Sequence, residues 1–269
     1  MVADAFGSKK YNMGLFAKII SYTPFHKYYK EYNHKKWKVA NDVMERELFP
    51  KRIAFYKQFI QPGDQVFDVG ANIGNRTEVF LKCNAKVIAV EPQPACVEIL
   101  KNKFNNRITI EQVGISNAEG ELEMYIATDT TASTFDSKFI TDTKEKFKYT
   151  EWKDTIKVPV TTLENLIIKY GFPQFCKIDV EGFEPQVLKG LKSIIPYISF
   201  EYAVPERKQA ALDCIQLLHN LSENGMFNYS VRESMTWALH DWMNYTDFTE
   251  HVRLAEFDKT LFGDIYFKS

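Results

Sequence analysis

Cysteine is scarce. The 269 residues hold four, at Cys83, Cys96, Cys176 and Cys214, with no CxxC pair and no Cys/His group at metal-ligand spacing. Each lies in an apolar run and reads as a small buried hydrophobe rather than a nucleophile. Their scatter suits a reducing cytosol. No uncharged apolar run approaches the ~20 residues of a membrane span. The stretch from Met13 to Ile20 is too short, and too broken by Lys18, to be the apolar part of a secretory signal. The expectation is a cytoplasmic protein, or one attached to a membrane only at its periphery. Net charge is nearly absent too: 34 basic residues stand against 35 acidic ones, which argues against a dedicated nucleic-acid binder. Internal repeats and low-complexity tracts are missing.

What is present is a large apolar content and an uneven spread of charge. Hydrophobic residues make up 45% of the chain and aromatics 14%, which excludes wholesale disorder. A chain this long buries about three quarters of the surface exposed by its unfolded form, with no need of disulfides or a structural metal. Residues 1–40 carry eight lysines against Asp4 and Glu31, a balance of +6 that leaves −7 for the rest. Residues 1–60 read as a helical, basic and aromatic extension, followed by one domain over 61–269. Three roles fit the first 40 residues: a helical cap on the main domain, a dimer contact, or a surface meeting anionic lipid.

From Gln65 onward, strands and helices alternate. Gln65–Val69, Val87–Val90, Ile108–Ile110, Phe175–Val180 and Tyr197–Tyr202 are short β-rich runs. Between them lie helical patterns, such as Val97, Leu100 and Phe104 after Pro94, and Ala211, Cys214, Ile215 and Leu218 before Gly225. Short apolar strands alternating with helices predict an α/β fold, a doubly wound and mostly parallel sheet covered on both faces. Residues 128–156 break the rhythm and read as a polar, lid-like insertion. The closing run Phe262–Phe267 has no helix after it and predicts an antiparallel edge hairpin.

In such a sheet the chemistry belongs at the carboxyl ends of the strands. The first strand ends in Asp68-Val-Gly-Ala-Asn-Ile-Gly-Asn75, where Gly70 and Gly74 permit a tight turn before a helix N-terminus. Asn72 stands where a dinucleotide fingerprint has its second glycine, so close contact with a pyrophosphate is poorly served. Glu91 ends the second strand at the distance where an acid takes both hydroxyls of a ribose. The pair points to an adenosine without demanding a pyrophosphate.

Together, Asp68–Asn75, Val90-Glu-Pro92, Lys177-Ile-Asp-Val-Glu-Gly-Phe-Glu184, Val113-Gly-Ile-Ser116 before Gly120, and Gly263-Asp-Ile-Tyr266 resemble the FkbM family of S-adenosylmethionine-dependent methyltransferases. The resemblance spans about residues 60–268. It implies a Rossmann-like class I fold, a seven-stranded sheet with a reversed last strand, S-adenosylmethionine as cofactor, and O-methylation as the usual activity. It also implies that Asp68, Gly70, Asn72 and Gly74 surround the methionine portion of the donor. On the same basis Glu91 binds the ribose, Gly114 and Ser116 lie along the adenine, and Asp179 sits closest to the methyl group.

An alcohol nucleophile still needs a proton acceptor. Asp179 and Glu181, two apart on a strand end, point the same way and form the expected acidic pair, with the choice of base between them open. Glu184 falls in a first helical turn, where a carboxylate suits the helix dipole. A competing account has Asp179 and Glu201 hold Mg²⁺ against a substrate diol, although paired acids more often serve hydrogen bonds or ion pairs. His240, beside Asp241 and between Trp237 and Trp242, is a further candidate base, with packed aromatics as the plainer alternative. Exposed indoles there would suit a sugar ring. Together with the family resemblance, this makes a small molecule or glycan the expected acceptor, with no nucleic acid among the partners. Two alternatives stay open: an NAD-dependent oxidoreductase, and a non-catalytic binding module that keeps the fold.

Overall fold

The structure, a computed structural model, describes residues 46–269. The readings made for residues 1–40 lie outside the described residues. The chain divides into two compact units, Met1–Lys51 and Arg52–Ser269. Of the first, residues 46–51 are described and are helical.

In chain order, the strands of the second unit are Gln65–Val69 (β1), Lys86–Val90 (β2), Thr109–Glu111 (β3), Gly114–Ile115 (β4), Gly120–Ala127 (β5), Trp152–Thr161 (β6), Phe175–Ile178 (β7), Tyr197–Ala203 (β8), Met226–Val231 (β9) and Phe262–Lys268 (β10). The helices are Asn75–Lys82 (α1), Pro94–Phe104 (α2), Ser137–Asp142 (α3), Leu163–Tyr170 (α4), Glu184–Lys189 (α5), Lys208–Leu221 (α6), Tyr245–Arg253 (α7) and Ala255–Asp258 (α8).

Seven strands form one sheet in the order β3-β2-β1-β7-β8-β10-β9. β1, β2, β7 and β8 run parallel and are buried along nearly their whole length, as strands covered on both faces must be. The chain winds outward from β1 to β3 and later returns to the other side of β1 through β7. The order therefore reverses between β1 and β7, where Val69 pairs with Ile178. Ligands of open α/β sheets bind at such a switch point. This is the Rossmann-like methyltransferase arrangement that the sequence implied.

β10 is antiparallel to both neighbours, so one strand is reversed as expected. Together β9 and β10 form the antiparallel hairpin at the edge that the sequence predicted, with β10 on its inner side against β8 and β9 outermost. The five residues Gly263–Phe267 are all buried, which an interior strand requires and an edge strand does not.

A second, three-stranded sheet has the order β4-β6-β5. Exposed and covered residues alternate over Glu121–Met124 of β5 and Lys157–Val160 of β6, the pattern of a sheet with one solvated face. The polar stretch 128–156 thus has structure of its own: a 3-10 turn at Thr130–Ala132, helix α3, and the first half of β6.

Residues 52–60 pack within the second unit, ahead of the boundary at residue 60 drawn from the sequence. Phe55, Tyr56 and Phe59 are buried, and their rings meet Phe80, Phe175 and Tyr266. Aromatic pairs of this kind contribute about 0.5–1.5 kcal/mol each beyond their buried area.

Candidate active site

The turn after β1 brings two strand ends into contact. Gly70 has φ 83°, a left-handed backbone that glycine adopts without strain. A Cβ at this position would fall 1.7 Å from the carbonyl oxygen of Asp179. Glycine is therefore required here for two reasons at once, and the close approach fixes Asp179 beside the turn. The amide of Asp179 donates to the Val69 carbonyl at 2.9 Å, closing the join between β1 and β7. Asp68, one residue inside the strand, is turned inward: it is buried and accepts from the Thr77 hydroxyl at 2.5 Å. Burial raises its carboxyl above the ordinary value, with Lys177 and Thr77 opposing. Gly74, with φ 81°, also has a left-handed backbone and lies against the Leu100 and Phe104 side chains of α2, so both backbone and packing call for glycine.

Glu91 sits at the end of β2 and is 2% exposed. One carboxylate oxygen accepts from the Asn72 amide and the other from the Gln93 amide, each at 2.8 Å. Asn72 reaches this position with φ 48°, a left-handed conformation asparagine tolerates better than most residues. Burial pushes the Glu91 carboxyl up to about 7, against the two backbone donors. Each carboxylate oxygen keeps a second lone pair, enough to accept from the two hydroxyls of a ribose. The donor set thus fits a nucleoside.

The inserted segment after β5 closes over this corner. Asn72 Nδ2 donates to the Thr130 hydroxyl at 3.4 Å and Gln93 Nε2 to the Thr130 carbonyl at 3.2 Å. The Ser133 hydroxyl donates to Gln93 Oε1 at 3.0 Å. Phe135 packs on Gly114, where a Cβ would come within 2.6 Å of its ring. Ser116 is buried, and its amide donates to the Thr161 carbonyl of β6 at 2.8 Å. The segment also reaches the acidic loop after β7: the Thr134 hydroxyl donates to the Glu181 carbonyl at 2.8 Å. Arg207 donates to the Gly182 carbonyl at 2.9 Å, and pairs with Asp136 and Asp142.

Acids gather on the far side of the switch point. Carboxylate oxygens of Asp179, Glu181 and Glu201 all lie within 4.8 Å of one another. Glu181 is 9% exposed, and its Oε2 is buried with no hydrogen-bond partner among the described residues. Burial raises the Glu181 and Glu201 carboxyls well above the usual range, and the Asp179 charge adds to it. Lys177, at the inner end of the cluster, pairs with Asp179 Oδ2 at 2.6 Å and is 2% exposed. Burial alone would lower its ammonium's pKa; Asp179 and Asp264 outweigh that and hold it above the ordinary value. Glu184 takes a separate role at the start of α5. Its Oε1 accepts from the Val180 and Gly182 amides at 3.1 and 3.2 Å, so it shapes the loop. Burial pushes that carboxyl up to about 7.

The Methyltransferase FkbM domain family matches residues 68–243, well over half of the chain. The chain belongs to the FkbM methyltransferase family. It is similar over 54 residues, at 44% identity, to a ribosomal RNA small subunit methyltransferase A of Lactobacillus johnsonii, a match covering 20% of this chain and 18% of that protein. A probable protein of the same name from Methanosarcina acetivorans is 41% identical over 54 residues, 20% of each chain. The chain thus spans about a fifth of the length of these curated relatives. Among solved structures, it resembles a precorrin-6y C5,15-methyltransferase of Geobacter metallireducens (TM-score 0.40, 10% identity, 81% of this chain and 86% of that one). It also resembles a TehB-like SAM-dependent methyltransferase of Corynebacterium glutamicum (TM-score 0.42, 9% identity, 90% and 99%).

Within this FkbM domain the structure brings together Gly70, Asn72, Glu91, Asp179 and Glu181. It does not bring His240 to them. The imidazole is 97% exposed and pairs with Asp241 at 3.0 Å. Its neighbours Leu239 and Met243 bond to Asn228 and Phe227, in the first half of β9, whereas the acids lie at strand carboxyl ends. Trp237 is likewise committed elsewhere, packed on Phe55, Phe59 and Tyr266 with its N–H donated to Gln58. Trp242 packs on Trp237 and under the Lys268 ammonium. The indole faces therefore give no support to a sugar at the acids.

Lys177, Thr134 and Arg207 escaped the sequence reading. Only Lys177 carried a signal, a lysine inside the apolar run Phe175-Cys-Lys-Ile178, which must be paired if buried.

Proposed function

We propose that the chain transfers the methyl group of S-adenosylmethionine to a hydroxyl of a small molecule or glycan, the sugar hydroxyl being the acceptor class suggested by the family resemblance. The observation that carries the donor assignment is Glu91, a buried acid bracketed by the Asn72 and Gln93 amides at the end of β2. Family membership favours a methyl donor over the nicotinamide alternative. The three carboxylates retained at the strand ends favour catalysis over a binding module. The ribosomal RNA named by the curated relatives is matched through 54 residues only, and a net charge of −1 does not suit such an acceptor.

When bound, the donor supplies a methyl carbon on a positively charged sulfur. Glu91 holds the ribose, and the turn from Gly70 to Gly74 sets the depth at which the nucleoside rests. The inserted segment, tied to Asn72, Gln93 and Glu181, excludes water from the junction. Asp179 and Glu181 orient the acceptor hydroxyl. With the donor bound, the acceptor oxygen would take the methyl group, the sulfur leaving as the neutral thioether, and the hydroxyl proton would pass to a carboxylate. The unpartnered Oε2 of Glu181 is the free acceptor for it. Alignment of this kind supplies about 7–11 kcal/mol of a barrier where the geometry is near attack.

The test is transfer of a labelled methyl group to a panel of glycosides and other alcohols. Label in an ether product, lost in Glu181→Gln, supports the reading. Label recovered only on nitrogen or carbon refutes the hydroxyl acceptor.

A further inference from the structure

The three clustered carboxylates have little to neutralise them. Asp179 engages Lys177 through one oxygen only, and the list of charged partners at the cluster ends there among the described residues. Ionised together beside a charged Lys177, the three would carry two uncompensated negative charges, a state that calls for a cation. Glu181 brings a carboxylate oxygen to this space, and its Oε2 is buried with no hydrogen-bond partner among the described residues. Burying an unpaired charge is expensive, and a cation at this point removes the cost.

We propose that Asp179, Glu181 and Glu201 bind one hard divalent cation at the carboxyl ends of β7 and β8. The sequence offered two ligands for such an ion; the structure adds Glu181 as a third. The spacing fits. Two oxygens on opposite sides of a Ca²⁺-sized ion at about 2.4 Å are separated by about 4.8 Å, and around Mg²⁺ by about 4.2 Å. No two of the ligand oxygens are further apart than 4.8 Å, a span matching the coordination sphere of the larger ion. An all-carboxylate ligand set suits hard ions such as Ca²⁺, Mn²⁺ and Mg²⁺. Three protein ligands leave positions open for oxygens of the acceptor, so the ion would grip a diol and lower the pKa of the hydroxyl to be methylated. That role rests on the methyl-transfer reading; the binding of the ion does not.

Mn²⁺ is the probe. Titration of the full-length protein with MnCl₂, read by loss of the free-ion electron paramagnetic resonance signal, is expected to show one saturable ion per chain, displaced by Ca²⁺ or Mg²⁺. Glu201→Gln and Glu181→Gln are each expected to weaken binding at least tenfold, and the distant surface change Glu98→Gln to leave it as it is. Circular dichroism checks that each variant is folded. A second reading needs no variant: saturating Mn²⁺ should raise the melting temperature of the wild-type protein. Absence of saturable binding to the wild type overturns the site, as does binding unchanged in both folded glutamine variants. Ion binding without any methyl transfer would leave the site standing and refute the function instead.

Discussion

Replacing Gly70 by alanine tests the join on which the site is built. The new Cβ would fall 1.7 Å from the Asp179 carbonyl oxygen, a backbone atom unable to rotate away. The ends of β1 and β7 must therefore part by more than an ångström. Two short hydrogen bonds are exposed to that movement, from the Asp179 amide to Val69 and from the Gly70 amide to Val90, both 2.9 Å. An orphaned buried polar group costs about 1–3 kcal/mol, and the left-handed backbone adds about 1–2 kcal/mol for a residue with a Cβ. The expected loss is about 3–8 kcal/mol. For a domain of this size that corresponds to a melting temperature lower by at least about 6 °C. Gly63→Ala supplies the control. Gly63 is also left-handed, at φ 93°, but a Cβ there meets nothing within 4 Å, so only the conformational cost of about 1–2 kcal/mol remains. Urea denaturation of the two full-length variants isolates the close approach as their difference. Equal losses would refute the reasoning, because they would leave the contact with Asp179 without consequence.

Lys177→Met removes the buried counter-charge of Asp179. Breaking a fully buried pair from one side costs about 3–5 kcal/mol, but Asp179 is 35% exposed and water can take over part of the pairing. Denaturation at neutral pH should therefore show a smaller loss of about 1–3 kcal/mol; no loss would mean that Lys177 is not the partner that matters. Glu91 gives a pH signature. Its carboxyl, at about 7 in the folded protein, must be ionised to accept from both ribose hydroxyls. Affinity for S-adenosylhomocysteine should therefore rise about tenfold between pH 6 and pH 8. Glu91→Gln should bind weakly and without that slope. In the free protein the same shift has the opposite sign: the folded carboxyl lies above its unfolded value, so stability falls as pH rises from about 4.5 through about 7.

The parallel half of the fold was legible because its strands announce themselves. β1, β2 and β7 are short apolar runs, and glycines punctuate the turn after β1. Glu91 stood out because an acid directly follows a buried strand. The rest depends on partners far away in sequence. The antiparallel edge hairpin was legible in the closing run, but that β10 is its inner strand, between β8 and β9, depends on pairings that no local pattern encodes. β5 and β6 alternate charged with apolar residues and stabilise each other only once paired; taken singly, the start of β6 looks like loop. His240 looked catalytic because Asp241 is next to it in the chain, and adjacency on an exposed segment gives a pair without a site. Glu181 and Glu201 are 20 residues apart and meet only because β7 and β8 run side by side.

The most direct measurement is calorimetric titration of S-adenosylhomocysteine into the full-length protein and into Glu91→Ala. One-to-one saturable binding is expected for the wild type. Loss of two charge-assisted hydrogen bonds in the variant, at about 1.5 kcal/mol each or more, should weaken that binding by about 100-fold while circular dichroism stays unchanged. A wild-type protein that does not bind the product, or a folded Glu91→Ala variant that binds it equally well, would contradict the placement of a methyl donor at the ends of β1 and β2.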